Sequence, residues 1–127
     1  ARGVGGRVGP ASVTGLLGRG RRAYPGMGLG IAGKGGAEDD VAAGGGAVHD
    51  PERIAYVRDH LAAVHSAIAQ GVDVRGYYLW SLMDNFEWAF GNSKRFGIVY
   101  VDFASLQRTL KDSANWYRDV IAANGPV

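Results

Sequence analysis

Apolar positions recur every three or four residues between 50 and 71. Ile54, Val57, Leu61, Val64 and Ile68 define one face of a helix predicted over 51–70. Asp50 suits its N-cap, Pro51 its first turn and Glu52 its positive end, while Gly71 suits a left-handed terminator. The run Tyr77 to Leu82, after Gly76, is almost continuously apolar and aromatic, as in a strand buried on both faces of a parallel sheet. Residues 83–95 mix acids, amides and aromatics as a functional loop does. Phe96 to Phe103 alternates loosely and predicts a second extended piece. A last helix is predicted over 112–123, with Trp116, Val120 and Ile121 on one side. Towards the N-terminus, Val13, Leu16, Leu17 and Tyr24 keep a helical stripe, but Gly20 stands where an apolar residue would complete it. Gly15, Gly18 and Gly20 each cost such a helix about 1 kcal/mol relative to Ala. Tyr24-Pro25-Gly26 then reads as a turn. This order of helices and strands is an α/β alternation, with too few strands to close a sheet.

Composition divides the chain near residue 46. Of 21 glycines in 127 residues, 16 precede residue 47. Residues 1–37 carry six basic side chains and no acid, whereas 47–127 carry eight basic and nine acidic. Cysteine is absent, which excludes a disulfide framework, a zinc ribbon and a thiol nucleophile. No apolar run approaches the roughly 20 residues that span a bilayer, and the N-terminal arginines have no apolar stretch behind them as in a signal peptide. A soluble, cytoplasmic chain is expected, with neither a membrane nor a nucleic acid as partner. The net charge of +2 is small, and the glycines break any helix that would present the N-terminal arginines to a phosphate backbone. A basic glycine-rich arm for RNA or membrane remains a third-ranked reading.

Two glycine motifs fail on context. Gly28 to Gly35 contains GxGxxG and comes within one residue of a P-loop, yet Arg21 to Pro25 before it is no buried strand. Gly35 also stands where a hydroxyl would hold magnesium. His60 and His65 are five apart, a spacing that does not align two imidazoles on one helical face, and His49 lies outside the helix. No metal and no cofactor are expected.

The segment 80–96 carries the strongest chemical signal. Trp80, Glu87 and Trp88 place two indoles and a carboxylate just after a buried strand. Aromatic faces pack on the apolar face of a pyranose, while carboxylate and indole N–H bond its hydroxyls. Core packing of Trp80, Trp88 and Phe96 with Glu87 as a surface charge is the competing account.

Trp80 to Trp88, together with Ser93 to Asp102, resembles the C-terminal signature of family 1 glycoside hydrolases, the retaining β-glucosidases. His49-Asp50-Pro51, Arg53 to Tyr56, Asp59-His60, Lys111-Asp112-Ser113 and Trp116-Tyr117 extend the similarity over 47–124. The resemblance implies a (β/α)8 barrel of more than roughly 400 residues. The chain would be its C-terminal portion, about the last two βα units, incomplete by itself and a single partial domain over 1–127. Residues 1–46 would match the sixth helix and seventh strand in degenerate form, and 47–127 the last helix, strand and helix. Trp80 would form a platform under the glycone, Glu87 and Trp88 would bond hydroxyls on its far side, and Phe96 would line the pocket. Leu110 departs from a proline common at its place.

In the N-terminal part, Gly5 to Pro10 resembles a GWEVDP segment with Gly6, Arg7 and Gly9 in place of Trp, Glu and Asp. Ile31 to Gly35 stands where an Ile-Thr-Glu-Asn-Gly motif belongs, so Gly33 occupies the nucleophile position. The acid/base glutamate would lie upstream of Ala1. Retaining hydrolysis needs two carboxyl groups about 5–5.5 Å apart, so the resemblance implies a β-glucoside or cello-oligosaccharide hydrolase of which this chain alone is inactive. The alternative is a stand-alone sugar-binding module using Trp80, Glu87 and Trp88. Many of the glycines are one base away from Glu, Asp, Val or Trp codons, as in an unreliable read or a decaying copy.

Overall fold

The computed structural model describes residues 9–42 and 46–125. The similarity read at Gly6 and Arg7 therefore lies outside the described residues.

Helix α1 spans Pro10–Ala23, with Pro10 in its first turn and Arg21 and Arg22 at its negative end. Only Val13 and Leu17 of the expected stripe are buried, whereas Leu16 and Tyr24 are exposed. The stripe narrows because α1 lies close on a second helix, with Thr14 Oγ1 donating to the Ala63 carbonyl at 3.1 Å. Gly20 is no simple gap: a β-carbon there would meet Leu29 Cδ1 at 3.2 Å. After the expected turn, where Gly26 has φ +80°, strand β1 runs Leu29–Lys34. The glycine motifs of Gly28 to Gly35 thus form a strand rather than a phosphate-binding loop.

Helix α2 spans Pro51–Ala69 and ends at Gly71, whose φ is +85°. Its buried face differs from the expected one. Arg53, Val57, His60, Ala63, Val64 and Ala67 are buried, while Ile68 is exposed. The alanines let α1 and the sheet approach closely, and Arg53 finds partners inside, whereas His60 bonds only the Tyr56 carbonyl of its own helix and leaves Nε2 buried without a partner. Asp50 makes no side-chain cap bond. Its carboxylate faces the last helix instead, accepting from Ser113 N at 2.9 Å and from Ser113 Oγ.

Strand β2, Val74–Leu79, pairs in parallel with β1, so that β1, α2 and β2 form one βαβ unit. It begins and ends three residues earlier than the apolar run Tyr77 to Leu82 suggests. Trp80 N–H still donates to the Lys34 carbonyl at 2.8 Å, but Ser81 N–H turns to the Phe96 carbonyl at 3.0 Å. Residues beyond Trp80 therefore leave the β1 ladder to pair with 96–99. The strand is also not covered on both faces. Leu29, Ile31, Val74 and Tyr77 pack on the core of Val13, Leu17, Ala63, Val64, Ala67 and Val72, while Tyr78 is 67% exposed.

The extended piece expected over Phe96 to Phe103 narrows to β3, Val99–Val101, paired antiparallel with β4, Arg108–Leu110. Their turn is organised by Asp102, whose Oδ1 accepts from Ala104 N and Ser105 N, both at 2.9 Å. These backbone donors hold its carboxyl below the usual range. Helix α3, Asp112–Ala123, closes the described chain, with Val120 buried and Ile121 exposed.

A six-residue apolar cluster under a one-sided, two-stranded parallel sheet is a small core. Circular dichroism should therefore show helix with a broad, gradual thermal melt. A sharp two-state transition would contradict this account and favour a self-sufficient domain.

Candidate functional site

The C-terminal ends of β1 and β2 bring Gly33 and Trp80 to the same edge of the sheet. Gly33 lies where the register of β1 against β2 shifts between Ile31 and Lys34, with φ +71°. It is exposed, and a β-carbon on it would meet nothing within 4 Å. Two residues on, the fit is tight. A β-carbon on Gly35 would sit 1.8 Å from the Trp80 carbonyl oxygen, so only glycine lets the two backbones approach.

Beyond the cis Trp80–Ser81 peptide, the chain folds back and Trp80 Nε1 donates to Glu87 Oε1 at 3.1 Å. Two of the four residues singled out for sugar binding are thus joined directly. Glu87 opens a short 3-10 turn, Trp88–Phe90. Glu87 N–H donates to the Gly91 carbonyl, and Phe90 N–H to the Glu87 carbonyl, each at 2.8 Å. Trp88 has φ +42° and is 85% exposed, so its indole packs little against the rest of this chain. Phe96 is half-buried and is linked to the pair through its backbone, its carbonyl accepting from Ser81 N–H and from Arg53 Nη1 at 3.3 Å.

Behind these residues lies a feature that the sequence reading missed. Asp50, Arg53, Asp40, Lys111, Asp84 and Arg95 form a chain of six charges alternating in sign. Arg53 Nε donates to Asp50 at 2.9 Å and its Nη2 to Asp40. Lys111 Nζ bridges Asp40 and Asp84, reaching Asp84 Oδ1 at 2.9 Å. Arg95 Nη1 donates to Asp84 Oδ2 at 2.7 Å, and its guanidinium lies 4.1 Å from the Tyr100 ring centre. The side chains of Lys111 and Asp84 are 0% exposed. Such charges are tolerated inside only because each is paired and hydrogen-bonded. Asp84 also accepts from Gly97 N at 3.0 Å and Val101 N at 3.3 Å, closing the base of the aromatic loop. Nearby, Glu38 pairs its backbone with Arg95, and burial raises its carboxyl above the ordinary range.

Among the described residues, no three His, Asp or Glu side chains are grouped to hold an ion. His49 Nδ1 pairs with Asp112 at 2.6 Å, and His60 is buried against Tyr56 with its Nδ1 on the Tyr56 carbonyl. Among the described residues no helix is long and apolar enough to cross a membrane.

A parallel βαβ unit is the repeating piece of α/β folds, and in the barrels among them the site lies at the C-terminal strand ends, where Trp80 and Glu87 stand. The sequence model of glycosyl hydrolase family 1 matches residues 5–126, across the break in composition, and the chain belongs to that family. It is 54% identical over 116 residues to thermostable beta-glucosidase B of Thermobispora bispora, covering 91% of this chain and 24% of that protein. It is 56% identical over 95 residues to the 1,4-beta-D-glucan glucohydrolase of Thermotoga neapolitana, covering 75% and 21%. Among solved structures, a family 1 β-glucosidase from Thermotoga maritima in complex with isofagomine lactam superposes with a TM-score of 0.89 at 44% identity. That superposition covers 93% of this chain and 27% of that one. The chain thus spans about a quarter of the length of the relatives it matches.

Replacing Asp84 by Ala would leave the buried Lys111 ammonium with one carboxylate and strip two N–H groups of their acceptor. Removing one member of a buried pair costs about 3–5 kcal/mol. Amide exchange over 80–101 should accelerate strongly in Asp84→Ala and little in Glu87→Gln, whose carboxylate lies outside the charge chain. Equal protection in the two variants would show that the ionic chain does not hold the loop.

Proposed function

We propose that these residues are the C-terminal, glycone-holding part of a retaining β-glucosidase that removes terminal glucosyl units from β-glucosides or cello-oligosaccharides. The observation that carries this reading is the Trp80–Glu87 bond at the strand ends beside Gly33. In it, Trp80 is the platform under the sugar ring, and its bond to Glu87 fixes both groups for sugar hydroxyls. Trp88 projects beside them and Phe96 closes the wall. The assignment of 1–46 to the sixth helix and seventh strand, and of the rest to the last helix, strand and helix, is part of the same proposal. A soluble enzyme of the cytoplasm is the setting it fits.

Double displacement needs one carboxylate to attack the anomeric carbon and a second carboxyl group to protonate the leaving oxygen. Gly33, at the attacking position, has no side chain, and the second group belongs to sequence outside these 127 residues. Glu87 cannot replace the nucleophile, because its proposed place is on the side of the sugar away from the scissile bond. The chain alone is therefore proposed to be inactive, and Gly33→Glu alone does not cure it, since the acid/base remains absent. Coupled catalytic groups lose most of their effect when one is missing.

Neither the wild-type chain nor Gly33→Glu should turn over an aryl β-glucoside above buffer, and measurable turnover by either would refute the assignment of roles. Titration with glucose or cellobiose should give no saturable change in tryptophan fluorescence. A saturable change would revive the stand-alone sugar-binding module, which the family match does not support.

A further inference from the structure

Two buried polar atoms lack a hydrogen-bond partner among the described residues, His60 Nε2 and the Tyr77 hydroxyl. They belong to neighbouring elements, one on α2 and the other on β2, on the helix-covered side of the sheet. Their burial is complete within these residues, His60 being 2% exposed. Buried polar atoms are nearly always bonded to protein or to ordered water. Two orphans in one layer therefore point to a ligand.

The surroundings fix what each atom can do. His60 Nδ1 lies 2.7 Å from the Tyr56 carbonyl, which can only accept, so Nδ1 carries a proton. With nothing paired to Nε2, a cationic ring would bury an uncompensated charge. The neutral ring, with a lone pair on Nε2, is the form that fits. Burial, and then the phenols of Tyr56 and Tyr117, raise the Tyr77 hydroxyl far above the ordinary tyrosine range, so it stays protonated. One orphan accepts and the other donates.

Their heights agree as well. Ala67, Val72 and Val74 pack together at the foot of the unit, where Val72 N–H donates to the Ala67 carbonyl at 3.1 Å. His60 stands seven residues above Ala67 on α2, and Tyr77 three above Val74 on β2, about 10 Å in both cases. Tyr56 neighbours both, its ring centre 4.1 Å from that of His60 and its phenol acting on that of Tyr77. A cation does not fit, since no three His, Asp or Glu side chains gather among the described residues. A water does, because it can accept and donate at once, and two partners suffice for a buried one. We propose that the seam between α2 and β2 is a binding site for one internal water, which accepts from the Tyr77 hydroxyl and donates to His60 Nε2. This water ties α2 to β2 three residues before Trp80, where the Tyr77 carbonyl also accepts from the Tyr117 hydroxyl of α3 at 3.4 Å.

The test is water-oxygen magnetic relaxation dispersion on the 127-residue chain, which counts long-lived waters and ignores labile protein protons. Tyr77→Phe removes the donor. His60→Asn keeps a donor for the Tyr56 carbonyl and removes Nε2. Each variant should lose the amplitude of one water, and the double variant that same one rather than two. Unchanged amplitude in either single variant, or a loss of two waters in the double variant, would overturn the shared site. Ring-nitrogen resonances of the unaltered chain decide the matter even where the variants fail to fold. His60 Nε2 should be unprotonated and shifted as a hydrogen-bonded acceptor. A proton on Nε2, an unbonded lone pair, or scalar coupling from Nε2 to the Tyr77 hydroxyl proton would each overturn the proposal.

Discussion

The arrangement of the site depends on burying six charges in one unbroken alternation. Lys111, at the start of α3, is the hinge of that chain: its ammonium joins Asp40, in the loop after β1, to Asp84, in the turn after β2. From Asp40 the chain runs through Arg53 to Asp50 at the start of α2, and from Asp84 to Arg95 before β3. Five separate stretches of backbone meet there, although apolar packing between α1, α2 and the sheet lies elsewhere. Buried ion pairs are a weak source of net stability, because desolvation offsets most of the attraction. Their effect is directional. A carboxylate that must meet an ammonium, a guanidinium and two backbone N–H groups admits few loop conformations, and Trp80 and Glu87 inherit that restriction.

The elements that stand on periodicity were legible in the sequence. Helix α2 was readable from its apolar spacing, its Pro51 and its Gly71, and α3 from a shorter version of the same pattern. Their facing was less so. The buried side of α2 follows Arg53, His60 and two alanines, residue types that hydrophobicity ranks low or neutral, because close approach and polar pairing decide it. The offset of β2 has a similar cause. Apolar character continues to Leu82, but the hydrogen bonds of Ser81 and Leu82 go to Phe96 and Val99 instead of β1. The charge chain was illegible for a different reason. Asp40 and Lys111 are 71 residues apart, and no local spacing distinguishes them from solvated charges.

The aromatic loop was read on residue type and then on family likeness, and the geometry divides its members. Trp80 and Glu87 meet by a bond that sequence spacing did not predict. Trp88 is the more telling case, since an indole left 85% exposed at a positive φ contributes little to this chain's packing. The turn that holds it outward is closed by its own backbone, Glu87 N–H on the Gly91 carbonyl and Phe90 N–H on that of Glu87.

The departures from the family pattern sort by the same physical criterion. A side chain could be added at Gly9 or Gly33 without meeting anything within 4 Å, and Leu110, at the proline position, is exposed on β4. By contrast Gly35 and Gly97, which fit the pattern, have backbone within 2.5 Å of where a β-carbon would stand. Gly20, the gap in the α1 stripe, lies between these cases, since a β-carbon there would stand 3.2 Å from Leu29 Cδ1 and ask that side chain to shift. A glycine at residue 33 therefore forgoes no side-chain contact within these residues, and its φ of +71° is one that a larger residue would adopt only with strain. Where backbones approach closely, at Gly35 and Gly97, the family pattern is kept; where the chain opens to solvent, at Gly9, Gly33 and Leu110, it departs.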